Sequence, residues 1–226
     1  MISFLNSDPY PLLPSESHSY AQAQQHSHHV DEWLGLQSEK IEKNLSENGC
    51  ALKAGHSKER QELWIGLAVK SLLTPYTEIR SMLEKLNPQA GSVVVDLGAA
   101  YGRMGFVIGR HYPDVNFVGY EFVGERVKEG RRCLEAFKYN LVKLEHADLS
   151  SPDFTPLNAD YYFIYDYGNE KAVEKTLHDL RRIAQTREIT VIGRGRLSRE
   201  LIERRHPWLS RMKTPEHCGH ISIYRT

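Results

Sequence analysis

The stretch VVVDLGAAYGRMG, residues 93–105, restricts the fold more than any other part of the chain. Three valines end in Asp96, and Gly98, Gly102 and Gly105 follow within eight positions. An unbroken run of branched residues marks a strand buried on both faces of a parallel sheet. Glycines directly after such a strand bring bare backbone up to a ligand, because no Cβ stands in the way.

The chain on either side alternates between helical and strand patterns. ELWIGLAVKSLL (62–73) predicts a buried helix. TPYTEIRSMLEKLNP predicts a second, with Ile79, Met82, Leu83 and Leu86 on one face and a stop at Asn87-Pro88. After the 93–97 strand come a crossover helix (MGFVIGRHYP), a strand (VNFVGYE), a helix from Gly124 and a third strand (LVKLEHADL). ADYYFIYDYG, a helix from Glu170, EITVIGRG, the short helix SRELIERRH and a closing strand, HISIYRT, complete the pattern. Strand–helix alternation of this kind predicts an α/β, doubly wound, mostly parallel sheet with right-handed crossovers.

A ligand in such a sheet sits beyond the carboxyl ends of the strands. Four successive predicted strands end in an acid there: Asp96, Glu121, Asp148 and Asp166. Glu121 lies 25 positions after Asp96, close to the spacing at which a carboxylate accepts from a ribose diol. Phe122 offers an aromatic face to a base, and Asp148, next to Leu149, an acceptor for an exocyclic amine. An adenosine-type ligand is the expectation.

Composition narrows the partners. Lys plus Arg and Asp plus Glu are both 29 in 226 residues, which argues against a polyanion binder as a whole. Between Arg181 and Arg211, nine arginines face only three glutamates, a solvated helix face or a docking surface for something acidic. The three cysteines, Cys50, Cys133 and Cys218, show no paired spacing, so neither a disulfide framework nor a zinc ribbon is expected. Neither a secretory signal nor an uninterrupted apolar span is legible, and a cytoplasmic protein with no membrane partner is expected. Histidines gather at His18, His26, His28 and His29 and again at His217 and His220, without ligand spacing; no metal is expected. Residues 1–60, polar and histidine-bearing, read as an accessory arm or lid, partly helical through Trp33, Leu34, Leu36, Ile41 and Leu45. Residues 61–226 read as the main domain.

Taken together, VVVDLGAAYGRMG, FVGYE, HADL and YFIYDYGN resemble the class I S-adenosylmethionine-dependent methyltransferases, over roughly residues 70–226. The resemblance implies a seven-strand, Rossmann-like transferase. Its loop Asp96, Gly98, Ala100, Gly102 would hold the methionine part of S-adenosyl-L-methionine, Glu121 the ribose and Asp148 the adenine. Alanine stands at position 100 where the family motif has its middle glycine, a change that fits if the position keeps a negative φ. TPY and DYGNEKAVEKTLHDL bear a thinner resemblance to the seven-strand protein-lysine methyltransferases, which suggests protein lysine or another amine as acceptor. Small molecules and, at lower weight, nucleic acid stay open, as does the oligomeric state.

Beyond the fourth strand, Asp166 and Tyr167 are the candidate catalytic residues. Asp166 either accepts a proton from the methyl acceptor or caps the next helix at its amino end. Asn169, with Tyr76 and Glu78 upstream, is a candidate substrate-binding residue. Thr74 either closes over the cofactor or caps the helix that begins at Pro75. Two other classes remain. Tyr167 and Lys171 spell the YxxxK spacing of short-chain NAD(P) oxidoreductases, and a catalytically inactive cofactor-binding or interaction module keeps the same fold.

Overall fold

A computed structural model describes residues 8–14, 17–48 and 64–226. Cys50, Glu62, Leu63 and the expected boundary at residue 60 lie outside the described residues. The arm forms two helices, α1 (Tyr20–Leu34) and α2 (Ser38–Asn48). Helix α1 starts in a capping box. The Gln22 amide donates to the Ser19 hydroxyl at 3.3 Å, and the Ser19 amide donates to the Gln22 side chain at 2.8 Å. It ends at Gly35, in the left-handed region at φ 67°.

The segment expected as a helix over 62–73 departs from that reading. Trp64–Gly66 form a turn, and only α3 (Val69–Leu72) is helical, with no buried residue. Trp64 and Gly66 both sit at positive φ, 55° and 94°, which no helix accommodates. Trp64 and Leu67 are exposed, while Val69 and Leu72 pack partly buried against the core and Leu73 is buried in it. Helix α4 (Tyr76–Leu86) follows, with Ile79, Met82 and Leu83 buried on one face and Asn87 closing it in the left-handed region.

The sheet strands are β1 (Val93–Leu97), β2 (Asn116–Glu121), β3 (Val142–His146), β4 (Tyr161–Tyr165), β5 (Thr190–Arg194), β6 (Glu216–Cys218) and β7 (Ile221–Arg225). Their order is β3-β2-β1-β4-β5-β7-β6. All pairs are parallel except those made by β7, which runs antiparallel between β5 and β6. Three-residue β6 was not foreseen, because too few residues alternate there to give a pattern. The intervening helices are α5 (Arg103–His111), α6 (Gly124–Phe137), α7 (Glu170–Ala184), α8 (Arg196–Arg205) and α9 (Pro207–Ser210).

Successive strand residues point to opposite faces and seed two cores. Val94, Phe117, Phe163 and Ile192 pack with α4, α5 and α6, and Tyr10, Val30, Leu34 and Leu36 of the amino-terminal segment complete that layer. Val95, Tyr162, Ile164 and Val191 pack on the other face with Val173, Leu177 and Leu180 of α7 and with α8. The arm helix α1 is therefore built into one core layer.

Candidate functional site

Strand β1 pairs with β2 on one side and β4 on the other, so the connections leave it in opposite directions. That divergence opens a cleft at the strand ends. The loop after β1 is tied down at its base, where the Gly98 and Ala99 amides both donate to the Tyr120 carbonyl at 2.9 Å. Gly98 takes φ 96°, and a Cβ there would stand 2.3 Å from the Tyr167 Cβ. Only glycine meets both conditions. Ala100 sits at φ 47°, not at the negative value its side chain would prefer. The chain thus keeps the backbone of the glycine motif at this position while carrying a methyl group.

The cleft is walled by Leu73, Ile79, Met82, Phe163 and Ile192, with Thr74, Asp96, Arg103, Tyr165 and Arg194 among its polar lining. Asp96 accepts no side-chain hydrogen bond among the described residues. Burial, and secondarily the charge of Glu121, push its carboxyl up to about 7. The two arginines are held by carboxylates. Arg103 donates to Asp31 from Nε (3.2 Å) and Nη2 (2.5 Å), and from Nη1 to the Thr74 carbonyl (3.0 Å). Arg194 makes a fork with Glu78 at 2.9 and 3.0 Å and lies 4.1 Å over the Tyr165 ring.

Glu121 stands behind the loop. One carboxylate oxygen accepts from the Ala100 amide at 2.9 Å, the other from the Val123 amide at 2.8 Å, and Arg126 lies 3.6 Å away. Each oxygen retains one lone pair for a further donor. Phe122, by contrast, is an exposed ring beside His146. Asp148 lies two residues past the end of β3. Its Oδ1 closes a turn on itself through the Ser150 amide and hydroxyl, at 2.9 and 2.6 Å. Leu149 is buried in the core on the far face. Asp96, Gly98 and Ala100 thus share the open cleft, while Glu121, Phe122 and Asp148 lie outside it.

The acceptor-side residues are placed unexpectedly. Asp166 caps α8 and not the helix that follows it. Its Oδ1 accepts from the Ser198 amide (2.8 Å) and hydroxyl (2.6 Å), and its Oδ2 from the Leu197 amide (3.0 Å). Asn169 caps α7 through the Ala172 amide at 2.9 Å. The Tyr167 ring covers Gly98, while its hydroxyl turns into α7 toward the Ala172 carbonyl and Thr176. That commitment leaves the Tyr167–Lys171 spacing without a free phenol for hydride chemistry. Tyr76 is fully buried and donates to Asp31 at 2.9 Å. Pro75, not Thr74, occupies the cap position of α4. Tyr165, one residue before Asp166, faces the cleft together with Phe163.

Sequence patterns gave no sign of the carboxylate partners of Arg103, Arg126 and Arg194, because these lie 72, 84 and 116 positions away. A cluster of Glu174, His178 and His206 also forms, with ligand-type atoms within 4.8 Å of one another. Its groups bond to each other and to neighbours. Trp208 donates to His206 Nδ1 at 3.0 Å, which assigns the ring proton to Nε2, facing Glu174 at 2.8 Å, and Arg205 donates to the same glutamate. Among the described residues, no helix is long and apolar enough to cross a membrane.

Comparison with known proteins finds no matching family profile and no matching curated relative. Among solved structures, TrmN from Thermus thermophilus superposes with a TM-score of 0.52 at 15% identity, over 70% of this chain and 50% of that one. An RNA methyltransferase from Salinibacter ruber in complex with S-adenosyl-L-homocysteine gives 0.48 at 23% identity, over 68% and 91% of the two chains. A precorrin-6y C5,15-methyltransferase from Geobacter metallireducens gives 0.48 at 16%, over 70% and 90%. The likeness is one of fold. With its strand order and single antiparallel strand β7, the chain has the seven-strand fold of the class I methyltransferases.

Proposed function

We propose that the protein is an S-adenosylmethionine-dependent methyltransferase acting on an amine. One observation carries the cofactor assignment: Asp96 presents a carboxyl into the cleft with no partner of its own, directly before a loop bent for close backbone approach. An ammonium group is the natural counterpart of such a carboxyl, and the methionine end of the cofactor carries one. Gly98 and Ala100 line the same side, and Glu121 keeps two acceptor sites in a suitable place for a ribose diol. The residues at the loop after β1 therefore fit the group, and Asp148 and Phe122 are the groups assigned to the base.

When bound, the cofactor supplies an activated methyl group on a sulfonium centre. The chain's task is to position an acceptor in line, exclude water and keep the acceptor nitrogen unprotonated. The apolar wall of Leu73, Ile79, Met82, Phe163 and Ile192 serves the last two needs, since desolvation lowers the pKa of an amine. Tyr165 offers a π-face to positive charge near the transferring methyl. The Glu78–Arg194 fork holds that ring's surroundings rigid. With both Asp166 oxygens committed to α8, that residue is assigned to structure and not to proton transfer. A protein lysine side chain or another amine is the acceptor that this apolar wall suits.

Calorimetric titration with S-adenosylmethionine, S-adenosylhomocysteine and NADH, on wild type, Asp96→Asn and Glu121→Ala, tests the reading. Binding of both sulfur ligands, weakened at least tenfold in each variant, supports it, and labelled-methyl screening of peptides and small amines then finds the acceptor. If neither sulfur ligand binds wild type, the reading fails, and NADH binding in their place would redirect it to an oxidoreductase.

A further inference from the structure

Two guanidinium groups line the cleft, Arg103 and Arg194, and they come from different sides of it. Arg194 ends β5, two strands from β1 in the sheet and so about 10 Å from it at the usual strand spacing. Arg103 opens α5 directly after Gly102, at the end of the loop that begins at Asp96. The first turn of α5 carries no acidic residue. An anion beside Arg103 would meet both the guanidinium and the positive end of that helix.

The Arg103 side chain is 6% exposed. A guanidinium has five N–H donors. Three of these go to Asp31 and the Thr74 carbonyl, and the Tyr76 hydroxyl takes a fourth at most. At least one is left, on a side chain that lines the cleft. Asp31 of α1 is equally enclosed, with 5% of its side chain exposed. Besides the Arg103 bonds it accepts from the Tyr76 hydroxyl at 2.9 Å and the Ser38 hydroxyl at 3.3 Å. The Tyr76 ring lies 4.8 Å from the guanidinium carbon. These contacts fix the orientation of Arg103, and the charge of Asp31 offsets the cost of burying the cation.

An α-amino acid carries its ammonium and its carboxylate on one carbon, so a site for it needs an acid and a base side by side. We propose that Arg103 receives the carboxylate of the cofactor's methionine part, next to the ammonium on Asp96, and that Asp31 is the positioning residue that holds the guanidinium there. The amino-terminal arm then belongs to the cofactor site through this one side chain. The proposal rests on the methyltransferase reading above.

The test compares two ligands by calorimetry on the full chain: S-adenosylhomocysteine, and its carboxamide, which keeps the ammonium and removes the carboxylate charge. Wild type is expected to prefer the first by about twentyfold. Arg103→Gln should reduce that preference to about twofold or less. Because this change leaves Asp31 charged and buried, the double variant Asp31→Asn with Arg103→Gln, a neutral pair of similar shape, is measured too and should give the same result. Asp31→Asn alone should lower the preference to about fivefold, whereas a merely structural role would weaken both ligands alike. Asp96→Asn, which acts on the ammonium, should weaken both and leave the preference unchanged. The carboxylate assignment is overturned if wild type binds the two ligands equally, or if the preference survives in the double variant. Positioning by Asp31 is overturned if Asp31→Asn keeps the full preference. If neither ligand binds wild type, the cofactor reading itself fails and the assignment falls with it.

Discussion

Asp96 and Glu121 end neighbouring parallel strands, and burial together with the Glu121 charge keeps the Asp96 carboxyl protonated up to about pH 7. Pairing with a cofactor ammonium requires that proton to leave. Affinity for S-adenosylhomocysteine should therefore rise as pH increases from 6 toward 7, by up to about tenfold per unit, and level off above. Calorimetry in buffers of different ionisation enthalpy should detect proton release, and Asp96→Asn should abolish both the slope and the release.

The same shift acts on folding with the opposite preference. The folded protein holds a proton on Asp96 between about pH 4 and 7, where the unfolded chain has lost it. Stability should consequently fall as pH rises through that window, by on the order of 1.4 kcal/mol per unit from this group, and show no further loss from it above 7. Asp96→Asn has no charge to bury. Thermal melts should show its advantage over wild type growing from pH 4 to 7 and constant beyond.

Ala100 holds a left-handed conformation that suits glycine better. The left-handed penalty of about 1–2 kcal/mol exceeds the extra unfolded-state freedom of glycine, about 0.4–1 kcal/mol. Ala100→Gly should stabilise the protein by about 0.5–1 kcal/mol, read as a rise in melting temperature of a few degrees.

Gly98 and Tyr167 are in contact across the loop, and a methyl group at 98 has no room. Gly98→Ala should cost more than about 2 kcal/mol and weaken cofactor binding sharply. Tyr167→Ala opens the space, so a double-mutant cycle should show a non-additive term of about 1 kcal/mol or more. Additive costs would place the whole penalty in the backbone.

Asp166 is assigned to the amino end of α8, where it accepts three hydrogen bonds. Asp166→Ala should lower stability by about 1–2 kcal/mol in urea unfolding while leaving affinity for S-adenosylhomocysteine within about threefold of wild type. A loss of methyl transfer with intact stability would return Asp166 to the chemistry.

The strands and the amphipathic face of α4 were legible because their periodicity is local: three valines before Asp96, and Ile79, Met82 and Leu83 at helical spacing. The tight turn after β1 was legible because glycines directly after a buried strand mark a bend that side chains resist, and Gly98 takes φ 96° there. Residues 64–73 misled because an apolar run says nothing about whether a neighbour exists to bury it, and two positive-φ residues had already broken the helix. The pairings Asp31–Arg103, Glu42–Arg126 and Glu78–Arg194 were invisible for a different reason. Each joins segments far apart in sequence, and charge alone does not specify a partner.

Strand β7, residues Ile221–Arg225, lies inside the sheet between β5 and β6 and is buried over most of its length. On a ribosome, β5 (Thr190–Arg194) emerges well before it. At roughly 5–20 residues per second, β5 waits on the order of seconds with a bare, apolar edge until those residues are made. That interval is when the nascent chain is open to strand addition by another copy, and when a chaperone has something to hold.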